Sequence, residues 1–210
     1  MILTVDIGNT RIKGAVFEQY TLVEFFVFEV EELRKKIENI LKKYPNLKHL
    51  VVSSVGNLEK ELFLAFESKL KVHFVSHKDT FPFINKYATP TTLGIDRMVL
   101  AAGATLMHPN QNRLIIDAGT CITYDFVNSE DQYLGGAISP GIKIRYKSLN
   151  NYTSKLPLLS LSEDFDIIGN STKSAIHSGV INGVLFEIEG FISQYSLKNQ
   201  DLTIILTGGD

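Results

Sequence analysis

The chain is poor in cysteine. Its 210 residues hold one, Cys121, which excludes an internal disulfide and a cysteine-based zinc site. Long apolar runs are missing too: none approaches the ~20 residues that a membrane span needs. Met1 leads through a few apolar residues to Asp6, with no basic stretch before it, so no signal peptide is expected and the protein is read as cytoplasmic. Charge of one sign is also lacking: 21 Lys and Arg stand against 23 Asp and Glu, a net charge of −2 that favours neither a nucleic-acid nor a membrane-surface partner. The lysines at 35, 36, 42 and 43 alternate with acidic and apolar residues, as on a solvated helix face. The five histidines (49, 73, 77, 108, 177) show no metal-ligand spacing, and none is given a catalytic role. What remains is 44% hydrophobic and 21% charged, ordinary for one large folded domain or two small ones.

Strand and helix patterns alternate, so the fold class is α/β. Residues 2–7 and 11–17 read as strands joined by a tight turn, and "TLVEFFVF" (21–28) as a third. Leu33, Ile37, Ile40, Leu41 and Tyr44 fall on one helical face, with Pro45 as the stop. A strand over 49–55 follows, then an amphipathic helix predicted over "LEKELFLAFESKL" and a strand "KVHFV". Residues 76–93 read as irregular, and a helix starts near Asp96. "HPNQN" (108–112) is the predicted boundary, giving domains 1–111 and 112–210. The second half then reads strand, strand, strand, helix, a long helix with Ile176, Val180, Val184, Ile188 and Ile192 at helical spacing, and a last strand. Gly179, Gly183 and Gly190 lower that helix's propensity, so close packing against another helix is expected there, in this chain or a partner.

Two stretches repeat. "LTVDIGNTRIKGAVF" and "LIIDAGTCITYDFV" each deliver an Asp at a strand end, then x-Gly, then a Thr, then a second strand. Asp6 aligns with Asp117, 111 residues further on, about half the chain. One such turn is ordinary hairpin chemistry. Two, each opening a half, point to phosphate. Gly lets backbone N–H groups approach an anion, and Thr adds a hydroxyl donor. Asp accepts only, so it repels a bare phosphate but holds the cation that neutralises it. Lys13 on the second strand offers a point charge to a transferring phosphoryl group, or is simply an exposed strand lysine.

With "LGIDR" (93–97), "GGAISPG" (135–141) and "TGG" (207–209), these hairpins resemble type III pantothenate kinase, within the superfamily of sugar and acetate kinases, heat-shock chaperones and actin. The resemblance covers nearly the whole chain. It implies two duplicated ribonuclease H-like, actin-like ATPase domains with an ATP cleft between them. It implies ATP-dependent phosphorylation of pantothenate, the first step of coenzyme A biosynthesis, by a homodimer. The cofactors implied are a divalent metal (Mg2+) and a monovalent cation (K+ or NH4+). The ATP-binding positions it implies are Asp6, Ile7, Gly8, Asn9, Thr10, Arg11, Ile12, Lys13 and Thr120. Asp6 would also hold the divalent metal, directly or through water, and Asp117 the monovalent cation. Tyr87, Gly94, Ile95, Asp96, Arg97 and Thr172 match pantothenate-binding positions, and Asp96 matches the general base.

The residue types suit these roles. A carboxylate can accept the proton of an attacking alcohol, and a guanidinium can clamp a carboxylate in two places. Other readings stand beside them: Asp96 as a helix N-cap, and Thr172 as a first-turn residue after an Asn170 or Ser171 cap. Family members usually continue beyond "LTGGD" into another helix, so the chain is read as truncated or its purine site as open. Another kinase or phosphohydrolase of the superfamily, or a non-catalytic transcriptional accessory protein, are the rival functions.

Overall fold

Every second residue of β1 (Ile2–Ile7) turns inward, and Leu3, Val5 and Ile7 are buried. That alternation is what a half-covered strand requires. In the computed structural model, which describes residues 1–8, 11–54, 61–162 and 166–209, β1 is the centre of the first of two sheets. The chain divides into two compact units, Met1–Thr80 with Thr89–Val99, and Phe81–Ala88 with Leu100–Asp210.

In the first unit, β1 pairs antiparallel with β2 (Ile12–Glu18), and β2 with β3 (Thr21–Phe28). On its other side β1 pairs in parallel with β4 (His49–Ser54), which pairs in parallel with β5 (Lys71–Phe74). Helix α1 (Leu33–Lys43) closes one face, its Leu33, Ile37 and Ile40 buried against Leu3, Leu50 and Val16. Lys42 and Lys43 lie in its last turn, where the helix dipole favours cations. The lysine-rich face is solvated as expected; Lys43 pairs with Glu24 at 3.1 Å, and Lys36 lies 5.2 Å from the Phe26 ring centre.

The helix predicted over 58–70 is shorter in the structure. Among the described residues only α2 (Glu61–Leu64) is helical. From there the chain closes successive turns, such as Phe66 N–H to Phe63 C=O at 2.9 Å and Lys69 N–H to Phe66 C=O at 2.9 Å. Phe63, Phe66 and Leu70 are all buried, so turns serve the same apolar spacing that suggested a helix.

The second unit repeats the pattern. β7 (Asn112–Ala118) pairs antiparallel with β8 (Cys121–Val127), β8 with β9 (Gln132–Pro140), and β10 (Leu202–Gly208) lies parallel to β7. The segment expected to be irregular contributes β6 (Ile84–Asn85), which joins the edge parallel to β9. The strand order is β10-β7-β8-β9-β6, against β3-β2-β1-β4-β5 in the first unit. Each unit is therefore three antiparallel strands with a parallel one beside the first. Helix α3 (Ile95–Met107) starts in the first unit and ends in the second. In the second unit α4 (Ile142–Asn151) and α5 (Thr172–Lys198) cover the sheet. Val184, Ile188, Phe191 and Ile192 of α5 pack on Leu114, Ile116 and Tyr124, while Ile176 and Val180 pack on Tyr146 of α4.

Of the α5 glycines, Gly183 faces α4, since a Cβ there would sit 3.8 Å from an Arg145 guanidinium nitrogen. A Cβ at Gly179 or Gly190 would meet no atom within 4 Å. The 3.8 Å contact at Gly183 is an ordinary one, so packing among the described residues requires glycine at none of the three. Gly190→Ala is expected to stabilise an isolated chain by about 0.5–1 kcal/mol through helix propensity, read as a higher midpoint in urea. A lower midpoint would show that another chain covers that face.

Candidate functional site

In the first unit the tip of the β1–β2 hairpin carries the predicted phosphate residues. The chain crosses from Ile7 to Ile12 with Gly8 N–H bonded to Arg11 C=O at 3.2 Å. Ile7 and Ile12 are buried and anchor the tip; Gly8, Arg11 and Lys13 are exposed. Asn9 and Thr10 lie outside the described residues. Register places Asp6 between Lys13 on β2 and Ser53 on β4. A crevice of about 730 Å³ opens at the carboxyl ends of β1, β4 and β5, lined among others by Ile7, Ser54, Phe74, His77 and Thr91. Such strand ends are where open α/β sheets bind ligands.

The "LGIDR" segment enters the same unit. Leu93 is buried, and its carbonyl is held by His77 Nε2 at 2.7 Å. Gly94 C=O accepts from Met98 N–H at 3.1 Å, so the cap position falls at Gly94. Asp96 is therefore in the first turn, not at the cap as one reading had it, and its Oδ1 folds back to 2.3 Å from where a Gly94 Cβ would lie. Arg97 is buried, 5% exposed.

The Asp6 carboxyl is perturbed by its surroundings. Burial raises the Asp6 carboxyl above the ordinary aspartate range, the Ser53 hydroxyl and Lys13 ammonium oppose this, and Asp96 adds to it, so that the net shift is upward. A carboxyl that burial makes reluctant to ionise suits a bound cation, which would restore its charge. The sign for stability follows. The folded state holds the Asp6 proton more tightly than the unfolded chain, so stability present below the ordinary value of 3.8 is lost as pH rises through the raised value. Metal-free Asp6→Asn is accordingly expected to melt above the parent at neutral pH, the gap closing as the pH falls to about 4. Calorimetry across that range checks it; equal melting at neutral pH would leave Asp6 without the burial penalty.

The second unit holds the other predicted residues. Asp117 ends β7 with Thr123 of β8 on one side and Thr207 of the "TGG" motif on the other. Gly119 N–H bonds Cys121 C=O at 3.0 Å, closing the turn as Gly8 does in the first hairpin, and Thr120 is exposed. Two glycine segments brace this turn. Gly209 N–H donates to Ala118 C=O at 2.9 Å, and Gly141 N–H to Thr120 C=O at 3.1 Å. A Cβ on Gly141 would lie 2.1 Å from the Gly119 carbonyl oxygen, so no side chain fits.

A polar cluster behind the turn was not foreseen. Glu187 of α5 accepts from Tyr124 Oη at 2.9 Å, from Ser139 Oγ and from Arg145 Nη2. Arg145 Nε also donates to Pro140 C=O at 2.8 Å. Burial alone would raise the Glu187 carboxyl, but the hydrogen bonds from Ser139, Arg145 and Tyr124 outweigh it and hold it low. Burial, then Glu187, pushes the Tyr124 phenol up.

Thr172 is the first residue of α5, exposed, directly after an Ser171 cap that bonds reciprocally with Ser174. Tyr87 follows β6 and is half-buried. The structure thus gathers Asp6, Gly8, Lys13, Asp96 and Arg97 in one unit, and Tyr87, Asp117, Thr120 and Thr172 in the other.

A family model described as type III pantothenate kinase matches residues 2–194. A type III pantothenate kinase of Flavobacterium johnsoniae is 64% identical over 210 residues, which span this whole chain and 86% of that protein. One of Phocaeicola vulgatus is 39% identical over 211 residues, again with all of this chain and 86% of that protein aligned. Among solved structures, one from Campylobacter jejuni assigned to the Baf family of transcriptional activators superposes with a TM-score of 0.62 at 23% identity, covering 99% of this chain and 83% of that one. The ethanolamine utilization protein EutJ of Carboxydothermus hydrogenoformans gives 0.50 at 12% identity, covering 99% and 75%. The structural likenesses carry the fold alone, the two-domain α/β architecture of actin-like ATPases and sugar kinases. The family rests on the sequence: a model spanning most of the chain, and relatives of one name aligned along all of it, place the protein in the type III pantothenate kinase family.

Proposed function

We propose that this protein transfers the γ-phosphoryl group of ATP to the hydroxyl of pantothenate, giving 4'-phosphopantothenate for coenzyme A synthesis. The arrangement that supports this most is the pairing of Asp6 with Lys13 across the β1–β2 hairpin at the carboxyl end of the first sheet, in the same unit as Asp96. Phosphoryl transfer to an alcohol asks for a carboxylate to take the hydroxyl proton and a cation site to neutralise the phosphates. Asp96, held near the start of α3, takes the proton. Asp6 would hold a divalent metal such as Mg2+, directly or through water, and that metal would supply charge neutralisation at the transferring group. The Gly8 turn offers backbone donors to phosphate, and Lys13 adds a positive charge next to Asp6. Thr120, on a turn braced by Gly141 and Gly209, offers a hydroxyl to ATP phosphate. Asp117 would hold the monovalent cation, K+ or NH4+. Tyr87, Arg97 and Thr172 bind pantothenate. The buried guanidinium of Arg97 suits a desolvated carboxylate.

The protein is proposed to act as a cytoplasmic homodimer without nucleic acid or membrane. Contrary to the expectation from apolar runs, α5, with 27 residues, is long and apolar enough by composition to cross a membrane; a third of its apolar stretch is buried, and it packs on the second sheet and bonds through Glu187 to Tyr124.

A coupled ADP-release assay tests the function, with ATP and a panel of pantothenate, glycerol, acetate and common sugars, with and without potassium. Turnover with pantothenate is expected. Turnover with a sugar alone would move the protein to another kinase activity.

A further inference from the structure

Tyr87 is held more firmly than an exposed turn would require. Its backbone N–H donates to Asn85 Oδ1 at 2.9 Å, and Lys86 N–H donates to Tyr133 C=O at 2.9 Å. The Tyr87 ring meets the Tyr133 ring edge-on, with centres 6.1 Å apart at 60°. It also lies over Gly135, where a Cβ would stand 3.1 Å from Cδ2 and 3.2 Å from Cε2. Gly135 has a φ of +104°, which side chains other than hydrogen rarely adopt. The register between β8 and β9 slips here, Phe126 facing Gly135 and Val127 facing Tyr133, so Leu134 bulges outward. The bulge and the glycine together turn a bare Cα toward the Tyr87 ring.

Tyr133 is itself fixed. Its ring is fully buried and packs on Phe83 with centres 5.7 Å apart. Its hydroxyl donates to Asp125 Oδ1 at 2.5 Å, and Asp125 is 0% exposed. Burying a carboxyl group is unfavourable, and a phenylalanine at 133 would fill the same space but take the Tyr133 hydroxyl away from it. A short, directional hydrogen bond to a fully buried partner fixes the ring's position as well as its burial.

We infer that Tyr133, tethered by Asp125, and Gly135 are positioning residues that set the Tyr87 ring and so aim its hydroxyl at the acceptor substrate. The inference rests on the reading of Tyr87 as a pantothenate-binding residue. It gives the first glycine of "GGAISPG" a role in acceptor binding, separate from the nucleotide-side role of its last glycine.

The test measures KM for pantothenate and for ATP in Tyr87→Ala, Tyr133→Phe, Tyr133→Leu, Gly135→Ala and the double variant Tyr87→Ala/Tyr133→Leu, each with a melting curve. Gly135→Ala and Tyr133→Leu are expected to raise the pantothenate KM by about 10-fold with the ATP KM within about two-fold of the parent. The double variant is expected to match Tyr87→Ala alone, because Tyr133 acts through Tyr87. Tyr133→Phe, which keeps the ring, carries the test if Gly135→Ala does not fold; its pantothenate KM is expected to rise by about 3-fold. Effects that add in full in the double variant, or equal rises in both KM values, would overturn the inference while leaving Tyr87 in the site. An unchanged pantothenate KM in Tyr87→Ala would instead remove Tyr87 from the substrate site, and the inference with it.

Discussion

Asp96→Asn is expected to lower kcat by about 10³-fold while leaving the melting temperature close to that of the parent. The carboxamide fills the same space in the first turn of α3, over Gly94, but cannot take a proton from the attacking hydroxyl. The pantothenate KM is expected to change far less than kcat, the pattern of an interaction made only in the transition state. A second readout is internal to the site. Burial is the main cause of the raised Asp6 carboxyl and Asp96 the least, so removing the Asp96 charge is expected to lower Asp6 slightly while leaving it raised. Carbon-13 shifts of the Asp6 carboxyl, followed against pH in the parent and the variant, report that change. A kcat near the parent value would take Asp96 out of the base role whatever the titration shows.

Gly141→Ala is expected to act on nucleotide instead. The added methyl would stand 2.1 Å from the Gly119 carbonyl oxygen and 2.6 Å from that of Thr120. Both are backbone atoms of the β7–β8 turn, so the turn itself must move. Overpacking of this kind costs about 1–3 kcal/mol in stability. The displaced turn also loses the Gly141 N–H to Thr120 C=O bond. The ATP KM is therefore expected to rise by about 10-fold or more, with the pantothenate KM nearly unchanged. Nucleotide-induced thermal shifts check it directly. An undiminished ATP shift would mean that the second hairpin does not touch the triphosphate.

The elements built on long, regular patterns were legible in the sequence. The hairpin strands, α1 and α5 all lie where apolar periodicity put them, because there the burial pattern and the backbone period agree. The stretch 58–70 misled because Phe63, Phe66 and Leu70 satisfy a helical spacing that linked turns satisfy equally well. β6 was invisible because two residues carry no period; it is a strand through its bonds to Asp131 and Tyr133.

The site divides the same way. Asp6, Gly8, Asp117 and Thr120 could be read from a local motif stated twice. Their supports could not. Glu187 meets Ser139 and Arg145 from 48 and 42 residues away. His77 reaches Leu93 across 16. A histidine without ligand spacing and a glutamate on an apolar helix carry no local mark of what they hold. The glycines of "GGAISPG" did stand out, and the structure supplies the reason in two contacts, Tyr87 against Gly135 and the Gly119 carbonyl against Gly141.

One guanidinium ties α5 to the strand end beside the β7–β8 turn. Arg145 grips Glu187 with one arm and the Pro140 carbonyl with the other, one residue before the glycine that braces Thr120. A single planar group therefore fastens α5 to the segment that abuts the β7–β8 turn. A lysine in its place, a point charge without the planar fork, would not hold both partners in this geometry.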